Sequence, residues 1–356
     1  SEREDWQDKF NARDAYDSLD AICKSDFDAL VIITQHWLHA PQCLQALESG
    51  KHVYSAVPVI CIPDGNEILG WCDRLVDAVT RTGQRYMLGE TTYYRPAAMY
   101  ARRRAAEGAF GAFTYSEGEY MHAFDSPGCD LRNVLAARRT GRIGSEYDRI
   151  WKGYRDRGIA HGPMHYPTHS TSGPMCVMNA HAVKVTAWGL PPATDDSYFA
   201  DSGQAFSNET ALFHMSNGST MRICEHRECT AGSDREDFRI YGTKGSLEYG
   251  NWCTRDGRQP MSDAEMRDPL PAEVADAFKC FTQKDAAPGD DFVPTGHGGS
   301  HPYLVHEFVD AVAHDRMPAI NIWEAARYVA AGAVAHQSCL KDGELLSVPD
   351  WGDAPC

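Results

Sequence analysis

No run of about 18 consecutive apolar residues occurs in this chain, so no segment of it reads as a membrane-spanning helix. Positive charge is also scarce. The 34 Lys and Arg stand against 50 Asp and Glu, and the formal net charge of −16 argues against nucleic acid or anionic lipid as a partner. The 12 cysteines include no C-x-x-C pair, which leaves a zinc ribbon unsupported and, across 356 residues, makes a disulfide framework unexpected. Free thiols favour a reducing compartment, and a cytoplasmic location is expected. Also absent is the G-x-G-x-x-G turn that opens a dinucleotide-binding domain.

That last absence matters because the first hundred residues otherwise have a nucleotide-binding rhythm. Residues 2–10 are polar and helix-like. Residues 28–34 (DALVIIT) form a short apolar, β-branched run, expected as a strand buried on both faces. Residues 39–49 have helical apolar spacing, 52–55 are strand-like, 64–82 form a long amphipathic helix closed by Gly83, and 86–89 make a third strand. This is the βαβαβ order of a parallel sheet. Either about 35–40 residues, the usual size of the missing unit, precede this chain, or the protein has given up its pyrophosphate cradle. The first is expected, because the remaining strands keep core character and would otherwise present an open edge.

Beyond Pro96 the pattern changes. Residues 97–107 read as a helix. They are followed by alternating strand candidates at 113–122, 183–189, 209–214, 220–225, 238–242 and 246–249, with Asn217-Gly218 as a hairpin turn. Residues 257–299, rich in Pro, Asp and Gly, read as a long loop, and 303–314 and 322–340 as closing helices. The expected fold is α/β: a partial Rossmann-like parallel-sheet domain over residues 1–96, then an α+β domain with a large, open, mostly antiparallel sheet over 97–356.

The segment Met164-His165-Tyr166-Pro167-Thr168-His169 places two imidazoles four residues apart with a phenol between them. Proton transfer to and from a bound polyol calls for such groups; two core-satisfied histidines beside an ordinary turn are the plain alternative. His161, His165 and His169 recur every four residues, as metal ligands on one helical face would. Pro163 and Pro167 interrupt that face and no fourth ligand is evident, so no metal is expected.

Residues 29–59 resemble the Gfo/Idh/MocA superfamily of NAD(P)-dependent, sugar-acting oxidoreductases. The matching positions are Thr34-Gln35-His36-Trp37-Leu38-His39, Gly50-Lys51-His52-Val53 and Ala56-Val57-Pro58, continued by Tyr241-Gly242-Thr243-Lys244-Gly245-Ser246-Leu247 and His301-Pro302-Tyr303. Two positions depart from that pattern: the lysine of the family's E-K-P signature is Val57, and the aspartate four residues before its catalytic histidine is His165. Both departures point to a branch, the NAD-dependent glycoside hydrolases of the α-N-acetylgalactosaminidase type. That branch is similar at Tyr166-Pro167-Thr168-His169-Ser170-Thr171-Ser172-Gly173-Pro174, Val57-Pro58, Glu90, Gly118-Glu119-Tyr120 and Gly296-His297-Gly298-Gly299.

The resemblance implies NAD, or NADP, as cofactor, a carbohydrate substrate and a homo-oligomer. It implies catalytic roles for His169, Tyr166, Glu90, Tyr120 and His165, and cofactor contacts from Thr34, His36, His39, Ser55, Val57, Pro58 and Glu90. Its chemistry would be transient oxidation of a ring carbon, elimination of the leaving group, water addition and re-reduction, with His169 as a general base or acid of near-neutral pKa and a phenol shuttling a proton. His165 has three open readings: binding the sugar, assisting the base, or filling the aspartate's place. His39 can equally be a helix N-terminal residue, and Tyr120 can be sheet packing beside Tyr115. Trp151 and Tyr154, in the Arg-rich stretch 136–157, can stack on a sugar or belong to a solvated loop. His169→Ala is expected to abolish turnover and spare the fold. Two other functions remain open: a plain sugar dehydrogenase with net NADH production, and a non-catalytic scaffold that has lost its cofactor site.

Overall fold

The computed structural model describes residues 11–282 and 296–355, together with Gln7 and Lys9. Apart from Gln7 and Lys9, the helix expected at 2–10 lies outside the described residues, as do residues 283–295 of the expected loop.

Three short strands, β1 (Ala29–Ile32), β2 (His52–Ser55) and β3 (Tyr86–Leu88), pair in parallel in the order β1-β2-β3, joined by helices α1 (His39–Glu48) and α2 (Gly65–Thr82). Asp64 caps α2 through Asn66 N and Glu67 N, and Gly83 ends it in the left-handed region, as the composition of those turns requires. The expectation that residues 28–34 are buried on both faces is corrected here. Val31 and Ile33 are 62 % and 73 % exposed, because β1 pairs only with β2 and one of its faces is uncovered among the described residues.

After α3 (Pro96–Ala106) the chain builds β4 (Phe113–Met121) and then two helices, α4 (Leu131–Arg138) and α5 (Gly141–Asp156). A 3₁₀ turn at Pro163–His165 leads into α6 (Thr168–Met178). Strands β5 (Ala182–Leu190), β6 (Asn208–Met215), β7 (Thr220–His226), β8 (Arg235–Gly242), β9 (Gly245–Glu248), β10 (Asn251–Thr254) and β11 (Gly257–Pro260) follow. With β12 (Leu346–Ser347) they form a nine-stranded sheet, β11-β10-β9-β8-β4-β7-β6-β5-β12, antiparallel except for β4 beside β7. The stretch expected as a loop from 257 onward therefore holds β11 and helices at Asp263–Met266 and Ala272–Thr282. Helices α7 (His301–Ala313) and α8 (Ile322–Cys339) close the chain, and α8 packs on α2, β3, β5 and α6 together, joining the two sheets.

One row across the large sheet organises the site. Register places Glu209 (β6), Glu225 (β7), Tyr120 (β4) and Glu236 (β8) side by side, so all four side chains project from one face, the face that α6 covers. That approach demands a glycine. A Cβ on Gly118 would lie 1.9 Å from the Ser170 carbonyl oxygen. Gly118→Ala must separate the strand carrying Tyr120 from the helix carrying His169, and we expect a loss of about 1–3 kcal/mol in thermal or urea unfolding. An unchanged melting temperature would show that strand and helix are not in contact.

Candidate active site

The three parallel strands end at Ile32, Ser55 and Leu88, and the turns beyond them carry most of the expected cofactor-side residues. Glu90 is completely buried and caps the turn it begins, accepting from Thr92 N at 2.9 Å. Its Oε1 also accepts from His169 Nδ1 at 2.9 Å, while Glu236 Oε1 lies 3.4 Å from the same nitrogen. Arg95 holds Glu236 from the far side at 2.6 Å, and the Thr92 hydroxyl donates to it. A carboxylate only accepts, so Nδ1 carries the proton and Nε2 is left without a protein partner among the described residues.

This arrangement sets the charge on His169. Burial by itself lowers an imidazole's pKa, but the charges of Glu90 and Glu236 and the hydrogen bond to Glu90 outweigh it and raise His169 to about 9. Burial likewise pushes Glu90 up, and the His169 charge and hydrogen bonds overcome that and bring it down to about 2. His169 is thus an imidazolium at neutral pH, a proton donor and electrostatic clamp. Of the general base or acid of near-neutral pKa expected from the sequence, the near-neutral value is corrected, because that reading lacked Glu236. His169→Ala would also leave the buried Glu90 carboxylate without its cation and beside Glu236, so the variant is no longer expected to spare the fold.

Tyr120, Tyr166 and His36 gather around this pair. Ring centroids are 5.1 Å apart for Tyr120–His169, 5.5 Å for Tyr166–His169 and 5.2 Å for His36–Tyr166. His122 Nε2 lies 3.0 Å from the Cys129 carbonyl oxygen and must donate to it. Nδ1 then accepts from the Tyr120 hydroxyl at 2.9 Å. Burial raises the Tyr120 pKa, so the phenol rests protonated, and the Arg227 guanidinium 4.9 Å above its ring opposes that effect.

His165 is set apart. It is buried against His161 and His336, at ring distances of 5.1 and 4.3 Å, a layer behind the cluster. His39 is a brace: Nδ1 meets Pro58 O at 2.8 Å and Nε2 meets Thr34 O at 3.2 Å, tying the turns after β1 and β2 together. Thr34 is exposed and bonds Gln42, the Ser55 hydroxyl is turned to the Ala56 carbonyl, and Val57 packs partly into the core.

Beside the cluster lies a cavity of about 290 Å³, walled by His36, Tyr120, Tyr166 and Arg227 and covered by α4 and α5. The Arg-rich stretch is therefore two helices that roof the cavity. Trp151 lines it, whereas the Tyr154 hydroxyl bonds Glu67 Oε2 on α2 at 2.7 Å. Sequence reasoning missed Glu236, Arg95, Thr92, His122, Arg138 and Arg227. Only the arginine-rich composition of 136–157 hinted at any of them. A possible metal arrangement also lay outside that reading: one ligand atom each from Glu90, His169 and Glu236 lie within 4.8 Å of one another.

No protein-family model matches the chain. An α-N-acetylgalactosaminidase from Bacteroides fragilis is 33 % identical over 167 residues, 46 % of this chain and about a third (35 %) of that relative's length. A glycosyl hydrolase family 109 protein from Stenotrophomonas maltophilia is 25 % identical over 365 residues, covering 91 % of this chain and 72 % of the relative. The homologues are glycosyl hydrolase family 109 proteins. Among solved structures, a levoglucosan dehydrogenase in complex with NADH and levoglucosan superposes with a TM-score of 0.71 over 98 % of this chain and 87 % of that one, at 16 % identity. The chain thus shares the fold of this dehydrogenase.

The ion pair gives stability a pH signature. With His169 at about 9 against an ordinary 6.5, the folded state holds that proton more tightly, so the stabilisation is complete below 6.5 and vanishes as pH rises through about 9. With Glu90 at about 2 against 4.5, it is complete above 4.5 and lost as pH falls through about 2. We expect Glu90→Gln to cost on the order of 3 kcal/mol between those limits and much less above pH 9. Urea unfolding of both proteins across pH checks this; a pH-independent difference would refute the charged pair.

Proposed function

We propose that the chain is an NAD(P)-dependent enzyme acting on a sugar or glycoside, working as a redox-assisted glycosidase. The observation that carries this is the meeting of the Glu90–His169–Glu236 group, the Tyr120–His122 pair and an aromatic-lined cavity at the carboxyl edge of a parallel sheet. The names and the fold of the similar proteins support it.

The residues present fit the nicotinamide end of a dinucleotide. Turns after all three parallel strands converge there, and His36 brings the turn after β1 within ring contact of Tyr166. Thr34, Ser55, Val57, Pro58 and Glu90 would border that end. Bound NAD would supply reversible hydride acceptance at a ring carbon.

The protein's own groups would then manage protons. Tyr120 already directs its hydroxyl proton at neutral His122, so a tyrosinate base forms by transfer to His122 Nδ1 while Nε2 keeps its bond to Cys129 O. Arg227 and the His169 imidazolium favour the resulting negative charge. The unpartnered Nε2–H of His169 can donate to a developing oxyanion or a departing group. Val57, in the place of a proton-relaying lysine, leaves that work to these residues.

We extend the proposal to a homo-oligomer, since Trp188, Leu190 and Leu212 form an exposed apolar patch on the outer face of β5 and β6. A cytoplasmic location is supported by the free cysteines. No helix among the described residues is long and apolar enough to cross a membrane.

Aryl-glycoside cleavage without accumulating NADH is the expected activity, and denaturing mass spectrometry of the purified protein is expected to release a dinucleotide. Steady NADH formation from a free sugar would replace this reading with a plain dehydrogenase; neither dinucleotide nor turnover would replace it with a scaffold. Tyr120→Phe keeps the packing and loses the phenol, so kcat is expected to fall about 10²- to 10⁴-fold with little change in KM.

A further inference from the structure

The cavity's charge differs in kind from the rest of the molecule. Acidic residues outnumber basic ones 50 to 34, yet none of the residues lining the cavity is Asp or Glu, while Arg138 and Arg227 both line it. Arg227 is paired underneath with buried Glu225 at 2.8 Å. Arg138 has no ion pair among the described residues. Its Nη2 donates to His36 Nε2 at 3.2 Å, and His36 is held neutral by burial and by the arginine's own charge, so it cancels nothing.

Acids were available nearby. Arg132, on the same helix, pairs with Asp130 and Asp196 at 3.0 and 3.4 Å, and Arg139 pairs with Asp148 and Asp201 at 3.1 and 2.9 Å. Only the arginine between them turns into the cavity uncompensated. Trp37 lines the same space, and its indole N–H is buried without a hydrogen-bond partner among the described residues. A guanidinium without a counter-charge on the cavity wall is a ready partner for an anionic group on a ligand.

We infer that the cavity selects a sugar bearing an anionic substituent, a carboxylate in the manner of a hexuronic acid, received by the Arg138 guanidinium. The planar fork of a guanidinium matches the two oxygens of a carboxylate. The aromatic rings of Trp151 and Tyr147, stacked at 4.2 Å, supply the apolar wall a sugar ring needs. The overall negative charge does not oppose this, since exposed charges beyond a screening length of about 8 Å act weakly at physiological salt. The inference rests on the proposed sugar site, and it names the substrate class that site admits.

Calorimetric titration of the whole protein, without turnover, separates the two. The probes are the methyl glycosides of glucuronic and galacturonic acid, their neutral glucose and galactose counterparts, galactose 6-sulfate, and NAD and NADP. A uronide is expected to bind about 10- to 100-fold tighter than its neutral counterpart. Arg138→Gln should abolish that preference, bringing uronide affinity down to that of the neutral counterpart measured on the same variant, and Arg138→Lys should restore part of it. Tighter binding of the sulfated sugar than of either uronide would keep the anionic selectivity and reassign the group to an ester sulfate. Equal binding of acidic and neutral sugars overturns the inference, as does an Arg138→Gln variant that loses NADP affinity and keeps the uronide preference. Where Arg138→Gln fails to fold, the acidic-against-neutral comparison on the unaltered protein decides. Uronide preference without any dinucleotide-linked turnover would sink the enzymatic reading and leave the charge assignment standing.

Discussion

Three glutamates on three strands hold residues 164–170 in place, and the rest of the site follows from that. Glu209 accepts from Met164 N at 2.7 Å, Glu225 from the Ser170 hydroxyl at 2.5 Å, and Glu236 approaches His169 Nδ1 at 3.4 Å. All three belong to one cross-strand row, with Tyr120 between Glu225 and Glu236. Buried carboxylates are expensive unless each meets a cation and hydrogen-bond donors. Here each does: Glu209 meets His336 at 2.6 Å, Glu225 meets Arg227, and Glu236 meets Arg95 and His169. The acids are thus satisfied only when residues 164–170 lie along the row, which gives the segment one position.

The same row explains the charge state of the site. His169 sits in the first turn of α6, where the helix dipole disfavours a cation by a few tenths to about 1 kcal/mol. Two carboxylates at hydrogen-bonding range easily overcome that. A fixed imidazolium on one side and a neutral Tyr120–His122 pair on the other separate proton donation from proton removal, which suits a reaction that needs both in one cycle.

Much of the architecture was legible from periodicity. The parallel βαβαβ unit, the long strands of the second sheet and the two closing helices lie within a few residues of their expected bounds, because apolar spacing reports which face is buried. Patterns failed where composition hid structure. Residues 257–282 carry turn-forming residues yet contain a strand and two short helices. Residues 136–157, read as either a solvated loop or a sugar contact, belong to two helices spanning 131–156, whose exposed Arg132 and Arg139 pair with aspartates while Trp151 and Tyr147 turn inward. His39 matched a family motif, and its two hydrogen bonds to strand-end carbonyls give a structural reason for it.

The sequence by itself determined the element types, the parallel-then-antiparallel order, and the Tyr166–His169 segment with Glu90 after the third strand. Such signals are local, set by backbone propensity and by spacing within a single element. Only the tertiary structure decided which groups meet. Glu236 stands opposite Tyr120 through strand register across more than a hundred residues, and Arg138 faces His36 because α4 folds over the turn after β1. Charge state and pocket polarity depend on distances of a few ångströms between such remote side chains, and no local pattern encodes those distances.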